Sequence, residues 1–314
     1  MNKGICVFDL DNTLGEFGSI DFFGLLFEPK IIPNYYTMTD IHTKMVMNMI
    51  NEYDDDMLEF MEKLRNKFEK EIHLKGFDEN IFRPELKLIL QPLVNDFKNN
   101  KIEGFVIYSN NANIYSLEYA GRAIEKMFGV KDLFKYYLDR NHEIRNKYDG
   151  EKVGNRWKMV NTIKLLYPKL KDSHILFMDD LIHTDFYTTV DVTSIEVPRY
   201  ENHIPQSVLE DIWKTFEEVF RSMPELQQKK FLQLFHIKNY FNTDNLDDIK
   251  TVYLNYSKNE KNNIEFTENL PMIQDKIEKF IKKLHTYKGG YIRGKKYKSR
   301  KTHKRRRLMK FSEI

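Results

Sequence analysis

Asp9 and Asp11 lie near the start of the chain with one residue between them, and Asp9 directly follows the apolar run Ile5 to Phe8. The run predicts a buried strand because it is short and rich in β-branched and aromatic residues. Ligands bind at the carboxyl ends of strands in open α/β sheets. Two carboxylates at such an end repel each other unless a metal ion or a base neutralises them. The pair therefore indicates a site for a metal ion or another cation, and the alternative is a solvated acidic turn.

A second apolar run, residues 104–108, also predicts a buried strand, and Ser109 and Asn110 follow it directly. A hydroxyl at the end of a strand, followed by backbone amides that open a helix, is suited to binding a phosphate oxygen. The same two residues could instead serve only as a turn and a helix N-cap.

A third apolar run, residues 174–178, ends in Asp179 and Asp180, and Asp185 follows five residues after Asp180. Another strand with acids at its carboxyl end supports a shared site with Asp9. Mg²⁺ prefers oxygen ligands from one or two carboxylates, waters and substrate phosphate. The sequence leaves open which of the three later acids would hold such an ion.

In this order the residues resemble the motifs of the haloacid dehalogenase superfamily of phosphohydrolases. Asp9-x-Asp11-x-Thr13 resembles the first motif, Ser109 the second and the Asp179-Asp180 pair the fourth. The resemblance covers about residues 5–14 and 83–198. It implies an α/β fold, a three-layer Rossmann-like sandwich of the haloacid dehalogenase type with a mostly parallel sheet.

The third motif of that superfamily is a lysine at the start of the helix before the fourth strand. Lys158 lies 21 residues before Asp179, which suits one helix and a connecting turn. Lys152, in a loop flanked by glycines, and Lys164, deeper in the helical pattern, are its rivals. His183 is interpreted as a loop residue, because a hard oxygen site for Mg²⁺ does not need an imidazole.

The resemblance implies roles for these residues. Asp9 would be the nucleophile that forms an aspartyl-phosphate, and Asp11 would protonate the leaving oxygen and later deprotonate the attacking water. The phosphoryl oxygens would be bound by Ser109, Asn110 and Lys158 together with Mg²⁺. The metal ligands would come from Asp9, the backbone carbonyl of Asp11, and Asp179 or Asp180. Relatives that act on carbon–halogen bonds lack an acid in the place of Asp11, so a Mg²⁺-dependent phosphatase acting on phosphate monoesters is expected.

Composition and periodicity divide the chain into four parts. We predict an α/β core over residues 1–16 and 82–202, a helical cap insertion over 17–81, a C-terminal helical region over 203–286 and a basic disordered tail over 287–314. Within the core, Pro92 is expected to kink or divide a helix, and the charged stretch that follows Leu138 is expected to be a surface loop.

A single cysteine, Cys6, excludes an internal disulfide framework and favours a reducing compartment. We interpret this residue as a small core side chain. No apolar run approaches the length of a membrane span. These features predict an intracellular protein, cytoplasmic or nuclear, with no membrane partner.

Twelve Lys and Arg and no acidic residue lie between Lys288 and Lys310. Such a block is expected to be disordered until it binds a polyanion such as nucleic acid, and a nuclear-localisation signal or a solubilising end is the alternative. The composition, with its Gly-Gly and basic end, also resembles that of proteins of large nucleocytoplasmic DNA viruses, in which case the protein would lie in the host cell or the virion.

The phosphorylated substrate, small molecule or protein, is left open. Arg83-Pro84 is loosely similar to phosphatases that act on the RNA polymerase carboxy-terminal domain, which suggests a protein Ser/Thr phosphatase as an alternative. Those relatives usually have Glu where this chain has Asn12. A polynucleotide phosphatase that uses the basic tail is a third possibility.

Overall fold

The computed structural model describes residues 3–27, 55–152, 155–200, 204–238, 245–256 and 269–286. Within them, a five-stranded sheet has the order β3-β2-β1-β6-β7, and every neighbouring pair is parallel. Its strands are β1 (Gly4–Phe8), β2 (Ile102–Tyr108), β3 (Phe134–Leu138), β6 (Ile175–Asp179) and β7 (Thr193–Glu196). A separate antiparallel hairpin consists of β4 (Gly150–Lys152) and β5 (Asn155–Trp157). The predicted α/β class with a mostly parallel sheet is confirmed.

Helices precede, connect and follow these strands. They are α1 (Gly18–Phe27), α2 (Asp55–Leu74), α3 (Asp78–Ile81), α4 (Leu86–Lys98), α5 (Ile114–Phe128), α6 (Glu143–Tyr148), α7 (Val160–Leu166), α8 (Thr184–Thr188), α9 (Gln206–Arg221), α10 (Glu225–Lys238), α11 (Leu246–Tyr256) and α12 (Leu270–Thr286). A 3₁₀ turn, Asp172–His174, leads into β6. None of these described helices has both the length and the apolar character needed to cross a lipid bilayer.

Side chains alternate between the two faces of the central strand β1, and this alternation produces three layers. Ile5 and Val7 join a smaller core formed with the helices α7 and α8. Cys6 and Phe8 face the larger core, which contains α4, α5 and residues of the C-terminal helices. Cys6 is fully buried there, and burial raises the pKa of its thiol well above the ordinary value.

The helices of the predicted cap and of the C-terminal region pack on each other through aromatic side chains. Phe23 of α1 lies within 5.3 Å, centroid to centroid, of the rings of Phe68, Phe216 and Tyr253. These residues come from α2, α9 and α11, so residues far apart in sequence share the larger core. The division into four parts remains a prediction, and the cap helix expected over about residues 40–53 lies outside the described residues.

The last described helix, α12, packs against α4, β7 and the turn before β6. It also approaches the start of β1 closely, since a Cβ atom on Gly4 would lie 2.7 Å from Leu284. A glycine at this position therefore lets α12 lie against the edge of the sheet opposite the carboxyl ends of the strands.

Two local expectations need correction. Helix α4 is not divided at Pro92, because Leu90 and Leu93 on either side of the proline belong to one buried face, and that packing outweighs the hydrogen bond that proline removes. The charged stretch after Leu138 is not merely a loop, since it contains α6 and the hairpin.

Candidate active site

Strand pairing places two acids side by side at the carboxyl edge of the sheet. Phe8 of β1 is in register with Met178 of β6, and the Asp9 amide donates to the Met178 carbonyl at 2.9 Å. Asp9 and Asp179 therefore leave adjacent parallel strands at the same level. This edge is where open α/β sheets bind ligands.

Asp9, Asp179 and Asp180 each bring a carboxylate oxygen to one point, with these atoms within 4.8 Å of one another. The pKa of Asp180 is raised to about 7 by burial and then by the nearby charges of Asp9 and Asp179. Burial also raises the pKa of Asp9. Clustered carboxylates with oxygen donors alone fit a hard cation such as Mg²⁺, which would relieve their repulsion.

Lys158 lies against this group of acids. Its Nζ is 2.6 Å from Asp9 Oδ1 and 2.6 Å from Asp179 Oδ2, and its side chain is only 1% exposed. Burial alone would lower the pKa of Lys158, but the charges of Asp179 and Asp9 outweigh burial and raise it. For Asp179, Lys158 and His183 likewise outweigh burial, and its pKa is lowered.

Of the two candidate lysines whose side chains the structure describes, Lys158 and Lys164, it is Lys158 whose ammonium group reaches the carboxylates. It precedes the first residue of α7 by two positions, so its place before the helix matches the expectation. Lys164 instead pairs with Asp172 at 2.6 Å, and Lys152 ends the short strand β4.

His183 contacts both the lysine and an acid of the cluster, although the sequence indicated only a loop residue. Its Nδ1 accepts the backbone N–H of Lys158 at 3.2 Å, which places the ring proton on Nε2. Nε2 lies 3.3 Å from Asp179 Oδ2. The buried ring also packs edge-on against Trp157 and Phe177, so it has one fixed orientation.

Thr13 and Arg83 hold the segment that follows Asp9. The Thr13 hydroxyl accepts the backbone N–H of Asp180 at 2.9 Å and donates to the carboxylate of Asp180 at 3.2 Å. Arg83 is buried and donates to the carbonyls of Pro198 and Asn12 at 2.7 and 3.3 Å. Burial lowers the pKa of its guanidinium to about 10. Arg83 thereby joins the segment after Asp9 to the segment that follows β7.

Asp11 is outside the three-carboxylate group, and its side chain faces Asn111. Asn111 Nδ2 donates to Asp11 Oδ2 at 3.1 Å and to Asp21 Oδ1 at 3.0 Å. Ser116 also donates to Asp21. The pKa of Asp11 is raised well above its usual value by burial and then by the charges of Asp21 and Asp9. The pKa of Asp21 itself is raised by burial to about 6.

Ser109 and Asn110 lie at the end of β2, and neither caps the following helix. That cap is Asn113, whose side chain accepts the N–H of Tyr115 at 3.2 Å. Ser109 is buried, and its Oγ accepts the N–H of Asn111 at 3.1 Å. The side chain of Asn110 is directed toward Arg145, whose Nη2 donates to Asn110 Oδ1 at 2.7 Å.

Asp185 does not join the carboxylate group. Its Oδ2 accepts the N–H of Val160, the first residue of α7, at 2.6 Å. The carboxylate therefore binds the N-terminus of that helix, where negative charge is favourable.

Comparisons with known proteins add little beyond this geometry. No protein-family model and no curated protein matches the chain. Among solved structures, a HAD-superfamily hydrolase, subfamily IA, from Geobacter sulfurreducens matches with 13% sequence identity and a TM-score of 0.25, over 58% of this chain and 80% of that one. This likeness is too weak to carry an argument.

Sequence patterns did not reveal Asp21, Asn111 or His183 as neighbours of the site. Asn111 could have been noticed in the Ser-Asn-Asn sequence after β2, and His183 by its place between two acids. Asp21 lies in an aromatic segment without a motif, so only the packing of α1 against α5 brings it to Asn111.

Proposed function

We propose that this chain is a Mg²⁺-dependent phosphoric monoester hydrolase of the haloacid dehalogenase type, with Asp9 as its nucleophile. The observation that carries the proposal is the buried Lys158 ammonium, 2.6 Å from both Asp9 and Asp179 at the carboxyl edge of the sheet. A cation at that place stabilises charge on a phosphoryl group attached to Asp9, which is the main requirement in phosphoryl transfer.

The carboxylates of Asp9, Asp179 and Asp180 are the side chains that would hold Mg²⁺. The ion would supply charge neutralisation on the phosphoryl oxygens. The three oxygen atoms within 4.8 Å of one another support this assignment, and so does the pKa of Asp180, which burial and then the charges of Asp9 and Asp179 raise. The backbone carbonyl of Asp11 stays a further proposed ligand.

The chemistry divides between Asp9 and Asp11. In the first step a carboxylate oxygen of Asp9 forms a bond to phosphorus while the bond to the leaving oxygen breaks, and Asp11 gives its proton to that oxygen. In the second step water attacks phosphorus, Asp11 takes a proton from the water, and the bond to Asp9 breaks to release phosphate. Burial and the charges of Asp21 and Asp9 raise the pKa of Asp11, and this direction favours the protonated form that the first step requires.

Ser109 and Lys158 are the proposed ligands of the phosphoryl oxygens. Ser109 lies at the end of β2, next to β1 in the sheet, and Lys158 lies beside Asp9. For Asn110 we propose a contact through its backbone N–H, because its side chain is hydrogen-bonded to Arg145. Backbone amides of this kind are common phosphate donors.

We also propose that residues 288–310, in the basic tail, bind a polyanion such as nucleic acid. Its support is the run of twelve basic residues without an acid. The affinity should fall steeply with salt, because each neutralised phosphate releases counterions. A phosphate ester on a polynucleotide end, hydrolysed at the proposed active site, would combine the two proposals, and a protein Ser/Thr phosphatase stays the alternative.

The test of the proposed reaction is Mg²⁺-dependent release of phosphate from p-nitrophenyl phosphate. We expect activity in the wild type, loss of at least a thousandfold in Asp9→Asn, and little change in the matched control Asp172→Asn, whose carboxylate pairs with Lys164 at the surface. If Asp9→Asn were as active as Asp172→Asn, Asp9 would not be the nucleophile.

A further inference from the structure

We propose that the buried ion pair between Arg145 and Asp149 is a positioning unit that holds Ser109 and Lys158 in one arrangement for phosphoryl binding. This inference rests on the proposed function, in which both residues bind the phosphoryl oxygens. Neither member of the pair was expected from the sequence to be near the site. Their side chains are both 0% exposed, and Arg145 Nε lies 2.6 Å from Asp149 Oδ2.

Arg145 uses its remaining donors on the segment that carries Ser109. Its Nη1 donates to the Ser109 carbonyl and, at 3.4 Å, to the Leu138 carbonyl. Its Nη2 donates to Asn110 Oδ1 at 2.7 Å. The planar guanidinium can bind these groups at once because its donors form a fixed fork. Arg145 therefore joins the ends of β2 and β3.

The contact to the Ser109 carbonyl also orients the next peptide group. In a planar trans peptide the C=O and the following N–H point in opposite directions. Because Arg145 binds the Ser109 carbonyl, the N–H of Asn110 is turned away from Arg145. The same contact thus determines the direction of a backbone donor that we propose for phosphate.

Asp149 extends the unit to the segment that carries Lys158. Its Oδ1 accepts from the hydroxyl of Tyr108 and, at 2.8 Å, from that of Thr162 in α7. The Tyr108 oxygen in turn accepts the backbone N–H of Met159 at 3.0 Å. Met159 is the residue after Lys158, so the position of the lysine backbone depends on the same carboxylate.

The contacts made by Arg145 and those made by Asp149 converge at the aromatic ring of Tyr108. The Arg145 guanidinium carbon lies 4.7 Å from the centroid of that ring, and Lys158 Nζ lies 6.0 Å from it. Tyr108 is the last residue of β2 and directly precedes Ser109. One buried pair thus connects the end of β2 with the segment before α7.

A merely structural role is the competing explanation. Buried ion pairs contribute little net stability compared with neutral residues of similar volume, although removal of one partner is costly. The experiment therefore needs a variant that preserves the buried positive charge but lacks the planar set of guanidinium N–H donors. In Arg145→Lys the ammonium can still pair with Asp149, but it cannot bind all the other acceptors.

Inhibition by inorganic phosphate and turnover of p-nitrophenyl phosphate are measured in wild type, Arg145→Lys and Arg145→Met/Asp149→Asn. Thermal unfolding of each protein is recorded in parallel. For Arg145→Lys we expect a melting temperature close to that of wild type, at least tenfold weaker inhibition by phosphate and at least tenfold lower kcat, since misplacement by about 1 Å can cost on the order of a hundredfold. In Arg145→Met/Asp149→Asn, phosphate inhibition and kcat should be reduced at least as much as in Arg145→Lys.

The control is Arg122→Met/Glu69→Gln, which removes a two-contact Arg–Glu pair between α5 and α2. It should leave both kinetic readouts unchanged. Tyr108→Phe, which deletes only the oxygen that accepts from Met159, supplies a milder variant in case the pair variant does not fold. We expect it to lower kcat at least threefold with the melting temperature nearly unchanged.

The outcomes separate the two proposals. If wild type is active and Arg145→Lys and Tyr108→Phe keep wild-type kcat and phosphate inhibition within twofold, the positioning role is refuted while the proposed function stands. If wild type hydrolyses no phosphate ester and binds no phosphate in calorimetry with Mg²⁺, the proposed function fails, and the positioning role fails with it. Weaker phosphate binding by Arg145→Lys in calorimetry would support the positioning role even without a turnover assay.

Discussion

Replacing Lys158 by methionine should be the most informative single change in the carboxylate cluster. The substitution keeps much of the side-chain volume and removes the ammonium that lies 2.6 Å from Asp9 and Asp179. It leaves Asp9, Asp179 and Asp180 with oxygens within 4.8 Å of one another and without that cation. Their repulsion then acts only in the folded state, so the free energy of unfolding must fall.

The expected size follows from burial. Removing one partner of a buried ion pair costs about 3–5 kcal/mol, and the side chain of Lys158 is 1% exposed. Lys164 provides a matched control, because its Nζ lies at the same 2.6 Å from Asp172 Oδ1 but its side chain is 37% exposed. For a pair of this exposed kind the loss is about 0–1 kcal/mol.

The assay is urea unfolding at pH 7.5 in EDTA and again with Mg²⁺. We expect Lys158→Met to lose about 3 kcal/mol or more in EDTA, at the lower end of the range for a buried pair. Mg²⁺ should restore part of the loss, since a ligand that binds the folded state at 100 times its Kd adds about 2.7 kcal/mol. Equal losses in Lys158→Met and Lys164→Met, with no effect of Mg²⁺ on either, would refute the electrostatic account of the site.

Three further predictions concern other parts of the molecule. Ser109→Ala should lower kcat/KM for p-nitrophenyl phosphate by about tenfold to a hundredfold, and unchanged initial rates would exclude its role. Asp21 has a pKa of about 6 in the folded protein against an ordinary value of 3.8. Its contribution to the free energy of unfolding is therefore present at low pH and is lost as the pH rises from about 4 to 6. The unfolding free energy of wild type should therefore fall relative to Asp21→Asn by about 3 kcal/mol over that window, and a constant difference in urea titrations would contradict this. Phe23→Ala should cost about 3–5 kcal/mol in thermal unfolding, whereas Leu181→Ala, half exposed, should cost less than about 0.5 kcal/mol.

Strand termini and their acids could be predicted because they are local properties. A run such as Ile5 to Phe8 is buried wherever it lies in a parallel sheet, and the residue after it must emerge at the carboxyl edge. Asp9 and Asp179 meet for this reason alone. The position of Lys158 before a helix was likewise readable from the helical period that follows it.

The sequence could not show which of several chemically equivalent residues lies in the site. Lys152, Lys158 and Lys164 are chemically identical, and the packing of α7 against β1 and β6 is what brings the ammonium group of Lys158 to the acids. Asp179 and Asp180 are adjacent, yet burial and then the charges of Asp9 and Asp179 raise the pKa of Asp180, whereas Lys158 and His183 outweigh burial at Asp179 and lower its pKa.

The sequence by itself thus determined the α/β class, the strands that end in polar residues and the acids that converge at one edge, since these follow from periodicity and chain direction. Tertiary structure alone decided that Arg145 is fully buried beneath Ser109, that Asp21 reaches Asn111 and that His183 contacts Lys158. These contacts join residues 25 to 90 positions apart. No local pattern encodes them, because the free energy that brings such residues together comes from burying the whole core.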